Sequence, residues 1–324
     1  MNDIVLAADL GGTNLRMAAV GADGEIIARA KRDTPRSGDP ESIVRAIVMS
    51  ARECLANAAG FNNVKSIGVA IPAMSIDPSG GIVKKAANLP ALNGFALGRA
   101  ISRELEMPAL LENDANAAAL GEHWTGASRG TSNSICVTLG TGIGGGIILN
   151  GSILRGPDWS AGEVGHICVE PLGHPCGCGS IGCVEQYASA TAIARIAAEL
   201  MPVYPGSILA GNVEITARSV YDAGKQGDEL GTEVFRRMAF YLGIALSSLI
   251  NILNPEVVVI GGGVADSWDL FIGPLRDEID KRAYSEPAKR AKLVPAALSD
   301  DAGIIGAAQI AFNEGPGKTY FQNV

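Results

Sequence analysis

One short run concentrates residues able to bind metal. In GHICVEPLGHPCGCGSIGC, His166, Cys176, Cys178 and Cys183 share a glycine-rich loop. Three thiolates and one imidazole fill a closed tetrahedral site, the pattern of a structural Zn2+. Cys168 and His174 are rival ligands on spacing alone. His174 stands so close to Cys176 that a surface role suits it better, and Cys168 reads as a core residue. Glu163 and Glu185 flank the run. An isolated Glu is usually solvated surface charge. Tied to a rigid metal loop, these two instead read as fixed acceptors for the hydroxyls of a sugar.

Two further motifs suit phosphate chemistry. In DLGGTN (9–14), Gly11 and Gly12 would admit phosphate oxygens to backbone N–H groups, Thr13 offers a hydroxyl, and Asp9 a carboxylate for water-held Mg2+. Alone it reads equally well as a hairpin turn; a second glycine-rich stretch, LGTGIGGG (139–146), strengthens the phosphate reading. In ENDAN (112–116), Asp114 ends one element and starts another. It is either a helix N-cap or a general base that takes a proton from an attacking hydroxyl.

The elements that position these motifs repeat. Ile4–Ala8, Arg16–Val20 and Glu25–Lys31 read as strands, and Asp39-Pro40 as the start of a helix with apolar residues at helical spacing. A strand at Ile67–Ile71, a helix at Asn93–Leu105 and a strand at Ala109–Glu112 follow. The order then restarts: strand Ser134–Leu139, glycine turn Gly140–Gly146, strand Ile147–Leu149, the tight turn Asn150-Gly151, strand Ser152–Arg155. Helix Glu229–Leu253, strands Val257–Ile260 and Leu293–Ala297, and a small-residue helix Gly303–Phe312 close the chain. This duplicated βββαβαβα layout predicts two similar α/β lobes around a cleft. The small lobe is expected over 1–114 plus 301–316, the large lobe over 115–300, and a polar tail over 317–324.

Composition narrows the function classes. The 324 residues suffice for two cores, and 47% apolar residues with a mean hydropathy of +0.21 exclude a disordered chain. A net charge of −8 argues against a nucleic-acid partner. No apolar run is long enough to span a bilayer and no targeting segment is visible, so a cytoplasmic compartment without membrane association is expected. Cys54 and Cys136 sit in apolar surroundings and read as core thiols.

The chain resembles the ROK family of bacterial sugar kinases and related repressors, from Asp9 to about Gly306. The resemblance is densest in AGEVGHICVEPLGHPCGCGSIGCVEQYAS (161–189); DLGGTNLR and LGTGIGGG support it. It implies the actin-like (ribonuclease H-like) two-lobed fold and an ATP-dependent hexokinase. Asp114 would be the base, with Asn113 beside it on the sugar, and Glu163, His166 and Glu185 on sugar hydroxyls. His166 would also join Cys176, Cys178 and Cys183 on Zn2+. Gly11, Gly12 and Thr13, with Thr141 and Gly142, would face the phosphates of ATP, Gly261, Gly262 and Gly263 the adenosine, and Asn88 the sugar. Asn14 departs from the lysine often found there. Family repressors add an N-terminal winged helix, for which a first strand at Ile4 leaves no room. The resemblance implies a homodimer or tetramer. Glucose is the expected acceptor, with an N-acetylmannosamine or N-acetylglucosamine kinase, or a non-catalytic sugar sensor, as alternatives.

Overall fold

In the computed structural model, which describes residues 3–58, 63–211 and 214–314, strand β1 (Ile4–Leu10) divides its side chains between two apolar layers. Ile4, Leu6, Ala8 and Leu10 join one buried cluster, Val5 and Ala7 another. A two-residue period imposes that split on a strand covered on both faces. β2 (Asn14–Gly21) and β3 (Ile26–Asp33) continue antiparallel. Helix α1 (Pro40–Asn57) starts where Asp39-Pro40 placed it, the Asp39 carboxylate accepting the Glu41 amide at 3.1 Å. β4 (Val64–Ile71) then pairs parallel with β1. The small hairpin β5 (Ser75–Asp77) and β6 (Ile82–Lys85) leads to α2 (Leu97–Leu105), β7 (Ala109–Asn113) and α3 (Asp114–Trp124). Helix α2 starts four residues later than expected. Gly94 sits at φ +79° and the Asn93 side chain accepts the Ala86 amide at 2.7 Å, so this segment closes a turn instead.

The second half repeats the plan. β8 (Ser134–Leu139), β9 (Ile143–Leu149) and β10 (Ser152–Ile153) form an antiparallel meander. Helices α4 (Glu185–Ala188), α5 (Ala190–Leu200), α6 (Ala217–Lys225) and α7 (Glu229–Leu253) precede β11 (Val257–Gly261). Then come α8 (Trp268–Arg282), α9 (Ser285–Arg290), β12 (Lys292–Pro295) and α10 (Ala302–Glu314). The sheet orders, β3-β2-β1-β4-β7 and β10-β9-β8-β11-β12, are the same arrangement twice. The expected turn over 140–146 is shorter than its glycines suggest, because Gly144, Gly145 and Gly146 belong to β9. A Cβ on Gly144 would come within 2.8 Å of the Ala115 Cβ. Gly144 and Gly146, both facing α3, thus let that helix lie close on the sheet.

Two helices join the halves. α3 packs on the second sheet, Ala119 meeting Cys136, Val257 and Val259. α10 packs on the first, Ile304, Ile305, Ala307 and Ala308 meeting Val5, Ala7 and Ala70. They also pack on each other: a Cβ on Gly306 would overlap the Ala117 carbonyl. The chain leaves the first sheet at Asn113 and begins, at Asp114, the helix seated on the second. The larger core gathers Phe235, Met238 and Leu242 of α7 against Ile135, Val137, Val258 and Ile260. Among the described residues no helix is long and apolar enough to cross a membrane. The tail expected over 317–324, with residues 315 and 316, lies outside the described residues.

Candidate active site

Of the two roles open to Asp114, the capping role belongs to its neighbour. The Asn113 side chain accepts the Asn116 amide at 2.9 Å and donates to the Ala73 carbonyl at 3.0 Å. Asp114 occupies the first turn, where its carboxylate accepts the Ala115 amide at 2.9 Å. Its side chain is open to solvent, yet the protein crowded around it partly desolvates the carboxylate and raises its pKa to about 6; the charges of Asp9 and Glu163 push the same way, against the backbone hydrogen bonds. A carboxyl that titrates near neutrality can take a proton and release it again.

Beneath it lies a buried ion pair that sequence reasoning missed. Glu112, 1% exposed, accepts the Asn113 amide and the Asn116 side-chain amide, both at 3.1 Å, and meets the Arg155 Nε at 2.7 Å. Arg155 also reaches Glu314 at 3.2 Å. It thereby ties the turn carrying Asp114 to the loop that leads toward Glu163. A charged residue at the end of the apolar strand Ala109–Glu112 was the available signal, since buried charge requires a partner.

The two glycine turns are braced differently. In the first, the Gly11 amide donates to the Asn14 carbonyl at 2.9 Å and the Thr34 hydroxyl to the Gly11 carbonyl at 2.7 Å, while the Thr34 amide meets the Thr13 carbonyl at 2.8 Å. A Cβ on Gly12 would stand 3.7 Å from that of Asn88, so the turn and the Asn88 loop adjoin. Asp9 pairs with Arg16 at 2.5 Å; burial nevertheless raises its pKa, outweighing the guanidinium. In the second turn the Gly140 amide donates to the Gly142 carbonyl at 2.9 Å, and the Thr141 carbonyl accepts the Thr191 hydroxyl at 2.9 Å. Glu185 accepts the Ile143 amide at 3.0 Å, and a Cβ on Gly142 would stand 3.2 Å from the Glu185 carboxylate carbon. Gly262 sits at φ +82°, where a Cβ would come within 2.5 Å of the Leu139 carbonyl. The Gly261–Gly263 turn therefore backs directly onto the strand that feeds the second glycine turn, and a Cβ on Gly263 would meet nothing within 4 Å.

His166, Cys176, Cys178 and Cys183 converge, one donor atom from each lying within 4.8 Å of all the others. Their spacing fits a tetrahedral ion. Zn–S bonds of about 2.3 Å put two sulfurs about 3.8 Å apart, and a Zn–N bond of about 2.0 Å puts nitrogen and sulfur about 3.5 Å apart. The Cys178 and Cys183 sulfurs are 3.7 Å apart, and the Cys176 sulfur is 3.6 Å from the His166 Nδ1. The His166 Nε2 faces Glu163 at 3.8 Å, so one ring meets both the metal set and that carboxylate. Burial raises the Glu163 pKa, His166 opposes it and Glu185 reinforces it. Neither rival ligand belongs to the set. The His174 Nε2 accepts from Arg195 at 2.8 Å, and its ring lies 5.7 Å from that of Tyr187. Cys168 is exposed rather than core, because its short strand pairs on one side only. Cys54 and Cys136 are buried as expected.

Two equivalent sheets, an accessible carboxylate of raised pKa where the chain passes between them, and glycine turns from both halves define a two-lobed α/β sugar kinase fold. The chain belongs to the ROK family, whose model matches residues 5–314. It is 39% identical to a glucokinase of Halalkalibacterium halodurans, covering 92% of each chain. It is 37% identical to a glucokinase of Thermotoga maritima, over 94% of this chain and 96% of that one. Among solved structures, a ROK family glucokinase from Streptomyces griseus in complex with glucose and AMPPNP superposes with a TM-score of 0.78 at 34% identity, covering 95% of this chain and 98% of that one.

Proposed function

We propose that this protein is an ATP-dependent glucokinase that phosphorylates the 6-hydroxyl of glucose. The observation that carries the reading is Asp114, open to solvent yet hemmed in by protein and titrating near 6 at the passage between the two sheets. As the hydroxyl oxygen attacks the γ-phosphorus, Asp114 takes its proton and the bond to ADP breaks. Glu163, His166 and Glu185 accept or donate to the sugar hydroxyls and orient the attacking one. Asn113 and Asn88 complete the sugar contacts; the Asn113 side-chain oxygen and nitrogen each keep one hydrogen-bonding capacity beyond Asn116 and Ala73. Backbone amides of Gly12, Thr13, Thr141 and Gly142 neutralise developing phosphate charge, Gly11, whose own amide closes the turn on Asn14, leaves room for the phosphate, Asp9 would hold Mg2+, and Gly261–Gly263 admit the adenosine. The small lobe, 1–114 with 301–316, closes on the large lobe, 115–300, and excludes the water that would otherwise accept the phosphoryl group.

His166, Cys176, Cys178 and Cys183 hold a structural Zn2+, supported by their donor spacing. When bound, the ion fixes the loop geometry; it supplies no acid or nucleophile. Free thiols and the use of ATP suit the cytoplasm. The assembly is a homodimer, which sedimentation reads directly. The test is a coupled ADP-release assay with ATP and Mg2+ over hexoses and N-acetylhexosamines. Turnover with glucose that Asp114→Asn abolishes is the expected result. Preference for N-acetylmannosamine would reassign the substrate, and sugar binding without any turnover would overturn the kinase reading.

A further inference from the structure

Cys168 lies outside the four-ligand set but directly across from one of its members. It is exposed, and it forms an antiparallel bridge pair with Cys183, which is 0% exposed. The Val169 amide donates to the Gly182 carbonyl at 2.8 Å and the Val184 amide to the Ile167 carbonyl at 2.9 Å. Bonds that flank the pair in this way make 168 and 183 a non-hydrogen-bonded position. At such positions the Cα atoms stand about 4.5 Å apart and both side chains leave the same face. A disulfide accepts Cα separations of roughly 4.4 to 6.8 Å. The Cys168 sulfur currently rests beside Gly182, where a Cβ would stand 3.3 Å from it. With no side chain at 182, the sulfur has room to rotate toward Cys183.

We propose that a hydroperoxide converts Cys168 and Cys183 into a disulfide, and that this bond takes one thiolate away from the metal set. This rests on the ligand assignment above. Hydrogen peroxide reaches the exposed Cys168 first. An S–O bond forms, the O–O bond breaks, and the departing oxygen leaves as water with the thiol proton, giving the sulfenic acid. The Cys183 thiolate then attacks that sulfur; the S–S bond forms and the S–O bond breaks, releasing hydroxide. The two cysteines lose two electrons and the peroxide gains them. Losing Cys183 leaves His166, Cys176 and Cys178, too few for a closed structural site. The ring facing Glu163 is then no longer anchored, and the affinity for sugar falls. A dithiol and fresh zinc reverse the change.

The test uses the zinc-loaded full chain and its Cys168→Ser variant, treated with hydrogen peroxide in the presence of a chromogenic chelator, alkylated and peptide-mapped. Metal content is measured before oxidation. The wild type is expected to yield a Cys168–Cys183 cross-linked peptide with zinc release, and to recover zinc binding with dithiothreitol and zinc. Cys168→Ser, a change at an exposed position, should start with the same zinc content and glucose KM, yet recover several-fold less after oxidation as its ligand thiols pass to sulfinic acid. Recovery of Cys168 as an alkylated thiol while Cys183 pairs with Cys176 or Cys178 would overturn the proposal. So would a cross-link formed with zinc retained. Absence of zinc before oxidation would instead refute the ligand assignment, and the peptide map would still decide whether 168 and 183 pair.

Discussion

Replacing Asp114 by Asn separates what the carboxylate does for turnover from what its charge costs the fold. The side chain keeps its shape, and its carbonyl oxygen still accepts the Ala115 amide. The pKa rises from an ordinary 3.8 to about 6, chiefly through partial desolvation. Because the folded-state value lies above the unfolded one, the ionised carboxylate destabilises the native state. That penalty is fully present above about pH 6, shrinks as pH falls through 6, and vanishes below 3.8. At 1.36 kcal/mol per pH unit, the interval corresponds to on the order of 3 kcal/mol. Asn carries no charge at any pH, so Asp114→Asn should be more stable than wild type at pH 8, but by no more than about 1 kcal/mol, because water reaching the exposed carboxylate screens most of that interval. The gain should disappear near pH 4. Over the same range, loss of the base should lower kcat by about 10²–10⁴-fold. Urea unfolding followed by fluorescence at pH 8 and pH 4, beside the ADP-release assay, reads both effects. A variant less stable than wild type at pH 8, or a gain that persists unchanged at pH 4, would refute the desolvation argument. Near-wild-type turnover would refute the assignment of the base.

Wild-type kcat/KM should fall as pH drops below about 6, because protonated Asp114 cannot accept a proton, and a pH–rate profile reads that limb directly. Cys178→Ser removes one of four converging donors, so zinc content by atomic emission should drop and the glucose KM rise by about 10–100-fold, with thermal unfolding shifted downward. Gly262→Ala would force a side chain into φ +82° and to within 2.5 Å of the Leu139 carbonyl. It should cost on the order of 3 kcal/mol in urea unfolding and raise the ATP KM more than the glucose KM.

Local rules made much of this protein legible in advance. Strand–turn–strand signals are short-range, so the repeated layout stood out, and the seven-turn helix Glu229–Leu253 matches the bounds its helical pattern gives; in the structure Asp228 caps it. Three cysteines and a histidine in one loop announced a metal set because their chemistry is local too. Other features depended on what lies across the fold. Gly144–Gly146 read as turn residues, whereas pairing with Cys136, Val137 and Thr138 puts them in a strand on which α3 lies close. Cys168 read as core, and only the pairing of its short strand showed it to be exposed and opposite Cys183.

The sequence by itself determined the residue types: which carboxylates, thiols and glycines are available, and on which short elements they ride. Tertiary structure alone decided which carboxylate is freed for chemistry. Asn113 takes the helix cap, Glu112 is neutralised by Arg155 from a distant loop, and Asp114 is left accessible but crowded by protein where the chain passes between the two sheets. The reason is physical. Hydrogen-bond capping and helical or strand periods are set by neighbours in the chain, whereas burial and charge–charge coupling depend on distances in space between segments that sequence order does not reveal.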